Sequence, residues 1–272
     1  MKIFSQFILA TFALLLMQCE EVIHVDLDTV DPKLVIDASI DWEKGTAGNT
    51  QTIKITTTNG YYDTESPTVS GATVKVTTST KDFVFSEGPE TGQYICTDFE
   101  PVIGESYTLT IDYNGQTYTA SETLIHTPGM EDQIDQINDG GFGGDEIEVK
   151  FYFQDDGSEN NFYMSSVQAS FAKFPFYTVD SDERTQGNQT NLVFAHEDTA
   201  QGDILAIQLH GISERYFNYM TRLLEATGTG GGPFSTTPAA VKGNIVNQTN
   251  KANYALGYFR LSEVVTRNYV VQ

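Results

Sequence analysis

From residue 34 onward the sequence places apolar side chains at every second position, a period that a half-buried β-strand can use and an α-helix cannot. Leu34 to Asp41, and Thr52 to Thr58 around Ile53 and Ile55, both read as sheet segments. Ala72 to Thr78 alternates Val74 and Val76 with polar partners, Phe83 to Phe85 begins another segment, and Gly88-Pro89 and Gly92 mark turns. The sharpest signal is Asn114-Gly115. A two-residue Asn-Gly loop demands positive φ at both positions, which these residues tolerate, and it fixes the register of the strands around it. Ile111 then faces Tyr118 and Leu109 faces Ala120 on one side, with Thr110 opposite Thr119 on the other. One apolar face and one threonine-rich face predict an antiparallel sandwich sheet with a wet side.

Between Pro128 and Glu146 the apolar content falls, and Gly140-Gly141-Phe142-Gly143-Gly144 lies among acids and amides, so residues 129–146 are expected to form a Gly-rich linker. Beyond it Ile147 to Phe153 points Ile147, Val149, Phe151 and Phe153 inward. Phe162 to Phe171, Leu192 to Phe194 and Ile204 to Leu209 continue the strand pattern. One helix is expected near 214–226: Ser213 caps it, Ile212 staples against Phe217, and Phe217, Met220 and Leu224 recur at helical spacing until Gly228 stops it. It reads as a lid over one sheet end, with a partner-docking face as the alternative. The expected fold class is therefore mainly β, with two antiparallel β-sandwich-like domains, 34–128 and 147–272, the second carrying the amphipathic helix.

The first eighteen residues have the anatomy of an export signal. Lys2 gives a positive start, and the eleven-residue apolar run Phe7 to Met17 fits a signal core while being too short to span a bilayer. Leu16-Met17-Gln18-Cys19 has the shape of a bacterial lipobox, with Gln18 where a small residue is usual. This predicts a signal peptide at 1–18, lipidation (palmitate-type acyl chains) at Cys19 and an acidic tether over 19–33. Each buried methylene contributes about 0.8 kcal/mol, so several acyl chains make a lasting membrane anchor. A plain signal peptide with an incidental cysteine is the competing reading, but no A-x-A-like site stands out near residues 13–24. With Cys19 acylated, Cys96 is the only other cysteine, so no intramolecular disulfide forms and Cys96 is expected to be buried and inert. The formal charge is −22, and no run of Lys or Arg forms a local basic patch, which excludes nucleic acid as a partner.

Signatures of catalytic chemistry are sparse in the sequence. His24, His126, His196 and His210 are scattered singly, and His196-Glu197 lacks the second histidine of a zincin helix. Gly228 to Gly232 follows the helix and has no Lys-Ser/Thr end to grip phosphate, so it reads as a helix exit. No G-x-S-x-G elbow occurs. The chain is read as a non-enzyme with no cofactor, no catalytic set and no committed metal site. Two oxygen-rich turns, Asp155, Asp156, Glu159, Asn160 and Asn161, and Asp180, Asp182 and Glu183, have calcium-type donors, with solvated surface acid as the simpler reading. Aromatic residues are the candidate contacts for a ligand or partner: Trp42, Tyr61 and Tyr62, suited to stacking on a sugar, and Phe174, Phe176 and Tyr177 around Pro175, which cannot sit in a central strand. Core and inter-domain packing is the alternative for each.

Several segments carry a family resemblance. Glu20-Glu21 directly after Cys19 resembles the surface-export signal of Bacteroidota lipoproteins, although an acidic chain also supplies such pairs. Together with Pro67 to Val74, Gly92-Gln93-Tyr94, Gly104 to Leu109, Gly232-Pro233-Phe234, Pro238, Gly243-Asn244-Ile245 and Gly257-Tyr258-Phe259, it resembles the Bacteroidota lipoproteins grouped as domain of unknown function 4249. The first part also resembles immunoglobulin-like or carboxypeptidase-regulatory-like modules, which space or bind. The resemblance implies an outer-membrane, cell-surface lipoprotein acting as a binding or accessory component of a TonB-dependent transporter or other envelope complex. The alternative is a free-standing glycan- or peptide-binding surface protein or adhesin, and a hydrolase is the weakest reading.

Overall fold

The computed structural model describes residues 31–60, 63, 65–227 and 241–272. Seven strands build a first sandwich: β1 (Leu34–Glu43), β2 (Gln51–Thr57), β3 (Thr73–Thr77), β4 (Asp82–Glu87), β5 (Gln93–Cys96), β6 (Ser106–Tyr113) and β7 (Gln116–Thr123). β1, β2 and β5 form one sheet, and β4, β3, β6 and β7 face it. β4 changes sheet along its length, pairing with β3 from Asp82 to Phe85 and with β5 at Ser86 and Glu87. The alternation read from the sequence is the reason these sheets close: Ile36, Ile40, Ile53, Ile55, Val76 and Leu109 point inward and are fully buried.

The β6–β7 hairpin turns at Asn114 (φ 48°) and Gly115 (φ 70°), with Ile111 opposite Tyr118, Leu109 opposite Ala120 and Thr110 opposite Thr119. Both the turn and the register are those the Asn-Gly pair dictates. Near the start of β6 the buried Tyr107 hydroxyl donates to the Glu100 carbonyl at 2.9 Å and accepts from the Val102 amide at 2.9 Å. A tyrosine reaching back to the preceding corner in this way is a hallmark of immunoglobulin-like sandwiches.

A second sandwich follows. β8 (Met130–Gly140), β9 (Glu146–Gln154) and β12 (Gln189–Ala195) form a three-stranded sheet, β12-β9-β8. Opposite lie β10 (Phe162–Ala169), β11 (Phe176–Ser181) and β13 (Ile204–Ile212). Val149, Phe151 and Phe153 from one side and Leu205, Ile207 and Leu209 from the other fill the space between. Helix α1 (Glu214–Ala226) starts where expected, with Ser213 Oγ accepting from the Tyr216 amide at 3.2 Å. Its Tyr216 and Met220 pack on Met164, Ile212 and Tyr258, so it covers the outer face of the sheet as a lid. The short β14 (Val246–Asn247) pairs with β7.

The two sandwiches share one strand. β15 (Leu256–Val270) runs parallel to β1 from Val35↔Leu256 to Glu43↔Val264, then antiparallel to β13 from His210↔Val264 to Ile204↔Val270. The result is a single twelve-stranded sheet, β11-β10-β13-β15-β1-β2-β5-β4-β3-β6-β7-β14. Two expectations about domain boundaries are corrected here. Residues 129–146 hold β8 and its turn into β9 and are not a linker, because an edge strand with register shifts needs few apolar residues to pair. Nor do residues 34–128 and 147–272 form separate bodies: Pro32–Gln272 is one compact unit, since β14 and β15 return to the first sandwich. The crossover is pinned to β15 as well. Ile125 N–H donates to Leu261 O at 3.3 Å, and Glu263, 5% exposed, accepts from the Thr127 amide at 3.0 Å and pairs with His126 and Lys44.

Gly257 permits the close approach of β15 to β1. It has φ +94°, and a Cβ there would lie 2.0 Å from the Ile36 carbonyl oxygen. Gly104 also has positive φ (+77°) but nothing within 4 Å of the added carbon. Gly104→Ala is therefore expected to cost about 1 kcal/mol from backbone strain alone, and Gly257→Ala at least about 3 kcal/mol from strain plus collision. Urea unfolding of the two variants side by side measures the difference; equal losses would remove the steric argument.

Candidate functional site

Alternation along β1 and β15 sends one set of residues into the cores and the other set outward. Ile36, Ala38 and Ile40 face in, and Val35, Asp37, Ser39 and Asp41 face out; on β15, Phe259 and Leu261 join the first core while Tyr258 and Arg260 face out. Helix α1 covers only part of this outer face. Between the helix, the outward residues of β1 and β15, and the β10–β11 turn lies a cleft of about 1000 Å³.

Arg260, which lines the cleft, belongs to a charged network in which Arg260 and His210 are buried and the Asp41 side chain stays 41% exposed. Arg260, 4% exposed, forks onto Asp41, Nη1 to Oδ1 at 2.7 Å and Nη2 to Oδ2 at 3.1 Å. Nη1 also donates to Ser262 Oγ at 2.8 Å, and that hydroxyl donates to the Gly211 carbonyl at 2.7 Å. The Tyr216 ring lies 5.4 Å from the guanidinium carbon, a cation–π contact supplied by the helix. His210, 2% exposed, sets Nδ1 at 3.3 Å from Asp41 Oδ1 and 3.4 Å from Arg260 Nη1. Whichever nitrogen carries the proton, His210 Nε2 has no hydrogen-bond partner among the described residues, and neither does Arg260 Nε.

The ionisation states follow from this geometry. Burial pushes the Asp41 carboxyl upward, but the Arg260 charge and the hydrogen bonds from His210 and Arg260 outweigh it and hold the group well below the usual carboxylate range. Burial would favour neutral Arg260, yet the adjacent Asp41 charge drives its pKa above the ordinary value. Burial dominates for His210. It lowers the imidazole pKa against the pull of Asp41, so the ring is neutral within the network.

Of the aromatic candidates, the structure brings Phe174, Phe176 and Tyr177 to the cleft. Phe174 stands 69% exposed at the rim with the Lys173 ammonium 5.2 Å from its ring, and Tyr177 is 43% exposed, its hydroxyl pKa raised by burial. Phe176 turns toward the second core, against Phe194 at 5.4 Å and His196 at 4.7 Å. Pro175 leads into β11, an edge strand, as its missing N–H requires. Trp42 is not part of the cleft lining. Its Nε1 donates to Thr46 O at 2.8 Å while the ring packs on the first core, closing the β1–β2 connection. Cys19, Glu20, Glu21, Tyr61 and Tyr62 lie outside the described residues.

The acidic turns have structural partners. Asp155, 4% exposed, accepts from the Tyr163 hydroxyl and from the Gly187 amide at 2.7 Å, and Asp182, 2% exposed, accepts from the Asn161 amide at 2.7 Å. The two segments named from sequence thus meet, but as a hydrogen-bonded brace. Among the described residues no group of three or more His, Cys, Asp or Glu side chains is placed to hold a metal ion. Cys96 lies in the first core, where burial pushes its thiol pKa up to about 11. The residues missed from sequence are Asp41, His210, Tyr216, Tyr219 and Arg260. One signal was available: Arg260 is a lone cation inside Gly257-Tyr258-Phe259-Arg260-Leu261, which implies a buried charge with a buried partner.

These sheets and this cleft define a mainly β protein of sandwich-like sheets with an aromatic-walled recess on its outer face. The chain belongs to the family described as Domain of unknown function (DUF4249), whose model matches residues 20–268. No curated protein matches the sequence. Among solved structures it is similar to one titled "Cytokine receptor complex - Crystal form 1A", at 9% identity and TM-score 0.25, covering 66% of this chain and 83% of that one. It is also similar to the FN1-FN3 domains of chicken CNTN1, at 13% identity and TM-score 0.25, covering 67% of this chain and 62% of that one.

The lowered His210 pKa fixes the sign of a pH effect. The unfolded chain takes up this proton near 6.5 and the folded protein only at lower pH, so stability falls as pH drops below about 6.5 until the folded pKa is reached. Asp41 contributes nothing to that window, because its stabilisation is full above 3.8 and is lost only as pH falls further. His210→Gln is expected to flatten the slope of unfolding free energy between pH 6.5 and 5 by up to about 1.4 kcal/mol per pH unit. Urea titrations at several pH values measure it; an unchanged slope would contradict a buried neutral histidine.

Proposed function

We propose that this protein is a lipid-anchored, outward-facing outer-membrane protein that works by binding, as an accessory to a TonB-dependent transporter or another envelope complex. The observation that carries the binding reading is the open cleft of about 1000 Å³ between α1 and the shared sheet, with Phe174 and Tyr177 exposed at its mouth. Partly exposed aromatic rings on a rigid frame lose little conformational freedom on association and contribute large contact areas. The polar groups below them, Arg260, Asp41 and His210, are bonded to one another instead of being arranged as nucleophile, base and oxyanion donors, so the arrangement suits recognition and not turnover. The export-signal anatomy before Cys19 and the Glu20-Glu21 pair after it support the anchor and the outward placement.

The test begins with the native protein. Mass spectrometry is expected to find the chain starting at Cys19 with acyl mass attached. Extraction in mild detergent is expected to bring down an integral outer-membrane barrel, and Phe174→Ser combined with Tyr177→Ser to abolish that association while leaving the fold intact by circular dichroism. An intact leader, or a protein that always migrates alone, overturns the proposal. A free-standing glycan or peptide binder is the second reading, favoured by Asp37 and Ser39 beside the aromatic rim. A glycan array responding to the wild type and not to the double variant would support it in place of the transporter.

A further inference from the structure

Helix α1 has a second face with a different character. A separate pocket of about 550 Å³ is lined by Arg215, Asn218, Tyr219 and Arg222 of the helix together with Lys242, Asn244 and Tyr258. The spacing 215, 218, 219, 222 puts the helical members on one stripe. Tyr219 and Tyr258 also line the aromatic cleft, so these two rings stand between the recesses.

The charge of this pocket runs against the composition of the chain. Acids outnumber Lys and Arg by 37 to 15, yet the pocket is lined by three cations and no carboxylate. Each of Arg215, Arg222 and Lys242 is exposed, and none forms an ion pair among the described residues. The Lys242 ammonium sits 3.8 Å from the Tyr254 ring centroid, and Lys33 approaches the same ring at 5.0 Å. Like charges therefore line one pocket without a carboxylate among its lining residues. Glu122 accepts from the hydroxyl of the lining residue Tyr258 and from that of Ser213 but does not itself line the pocket, and neither do Glu214 and Glu225 of the helix. Asn244 is occupied by both backbone groups of Phe259, at 2.8 and 2.9 Å, which makes it a fixed wall.

We propose that the pocket formed by Arg215, Asn218, Tyr219, Arg222 and Lys242 binds a phosphate-class oxyanion. Two guanidinium forks match tetrahedral oxygens bidentately, and the ammonium adds a point charge. Three cations suit a group carrying more than one negative charge. At physiological ionic strength the field of the remaining acids is screened over about 8 Å, so the local cluster governs an anion that has entered. The site shares the Tyr219 and Tyr258 walls with the cleft, but its cations Arg215, Arg222 and Lys242 do not line the cleft. The anion comes from either of two sources, a free phosphate compound or the headgroup of an anionic lipid.

The experiment is isothermal titration of the full-length protein in non-ionic detergent with sodium pyrophosphate and, separately, with dihexanoyl phosphatidylglycerol. Saturable one-to-one binding of at least one probe is expected; pyrophosphate alone assigns a free phosphate compound, and the lipid analogue alone assigns a headgroup. Arg222→Glu and Lys242→Glu, both on exposed side chains, are each expected to weaken binding by about tenfold or more. Lys54→Glu changes the net charge equally on an exposed position of β2 away from the pocket and is expected to leave binding unchanged. Absence of saturable binding to both probes overturns the proposal. So does binding that survives both pocket variants, or that falls equally with Lys54→Glu.

Discussion

The fork of Arg260 onto Asp41 ties the two ends of the described chain together. One partner is on β15 and the other on β1, and the parallel pairing of those strands joins the sandwiches into one sheet. A guanidinium this deeply buried needs its carboxylate: leaving Arg260 without Asp41 would strand a buried charge at a cost of about 3–5 kcal/mol, whereas the Asp41 side chain, 41% exposed, keeps access to water. The pair is thus best understood as a device that selects one alignment of β15 on β1. Ser262, His210 and the Tyr216 ring extend this selection to β13 and α1, so the helix is seated by the same charge that sets the register.

The first sandwich was readable from the sequence because its strands have one wet face. Alternation revealed β1, β2, β3 and β6, and the Asn114-Gly115 turn fixed the register of β6 on β7 to the residue. The helix was equally legible, through Ser213 and the Phe217, Met220, Leu224 stripe. β15 was not. From Tyr258 to Val264 every residue is buried, because cores, helix and crossover enclose both faces, so the polar half of the alternation disappears and Arg260, Ser262 and Glu263 interrupt the apolar half. β8 failed for the opposite reason. It is an edge strand with two register shifts and a single buried side chain, and its acids and amides resemble a linker.

The cleft was half legible. Phe174 and Tyr177 drew notice by crowding around a proline, but their companions arrive from elements far away in sequence: Asp37 on β1, Tyr219 on α1 and Arg260 on β15. Spacing along a chain carries no information about such convergence. The basic pocket escaped for a related reason, since Arg215, Arg222 and Lys242 form no run and become neighbours only where Val241 to Asn244 lie beside the helix. One helix consequently divides an aromatic recess from a cationic one, with Tyr219 and Tyr258 as the partition.

The parallel β1–β15 contact also has a temporal meaning. β1 is the first strand described and β15 the last, so during synthesis one flank of β1 has no native neighbour until roughly two hundred further residues have emerged. An open strand edge over that interval is a template for pairing with other chains. Outward-pointing Asp37, Asp41 and Glu43 on that strand would discourage such mispairing through mutual repulsion between copies. The carboxylate that later receives Arg260 would then serve first as a guard against self-association.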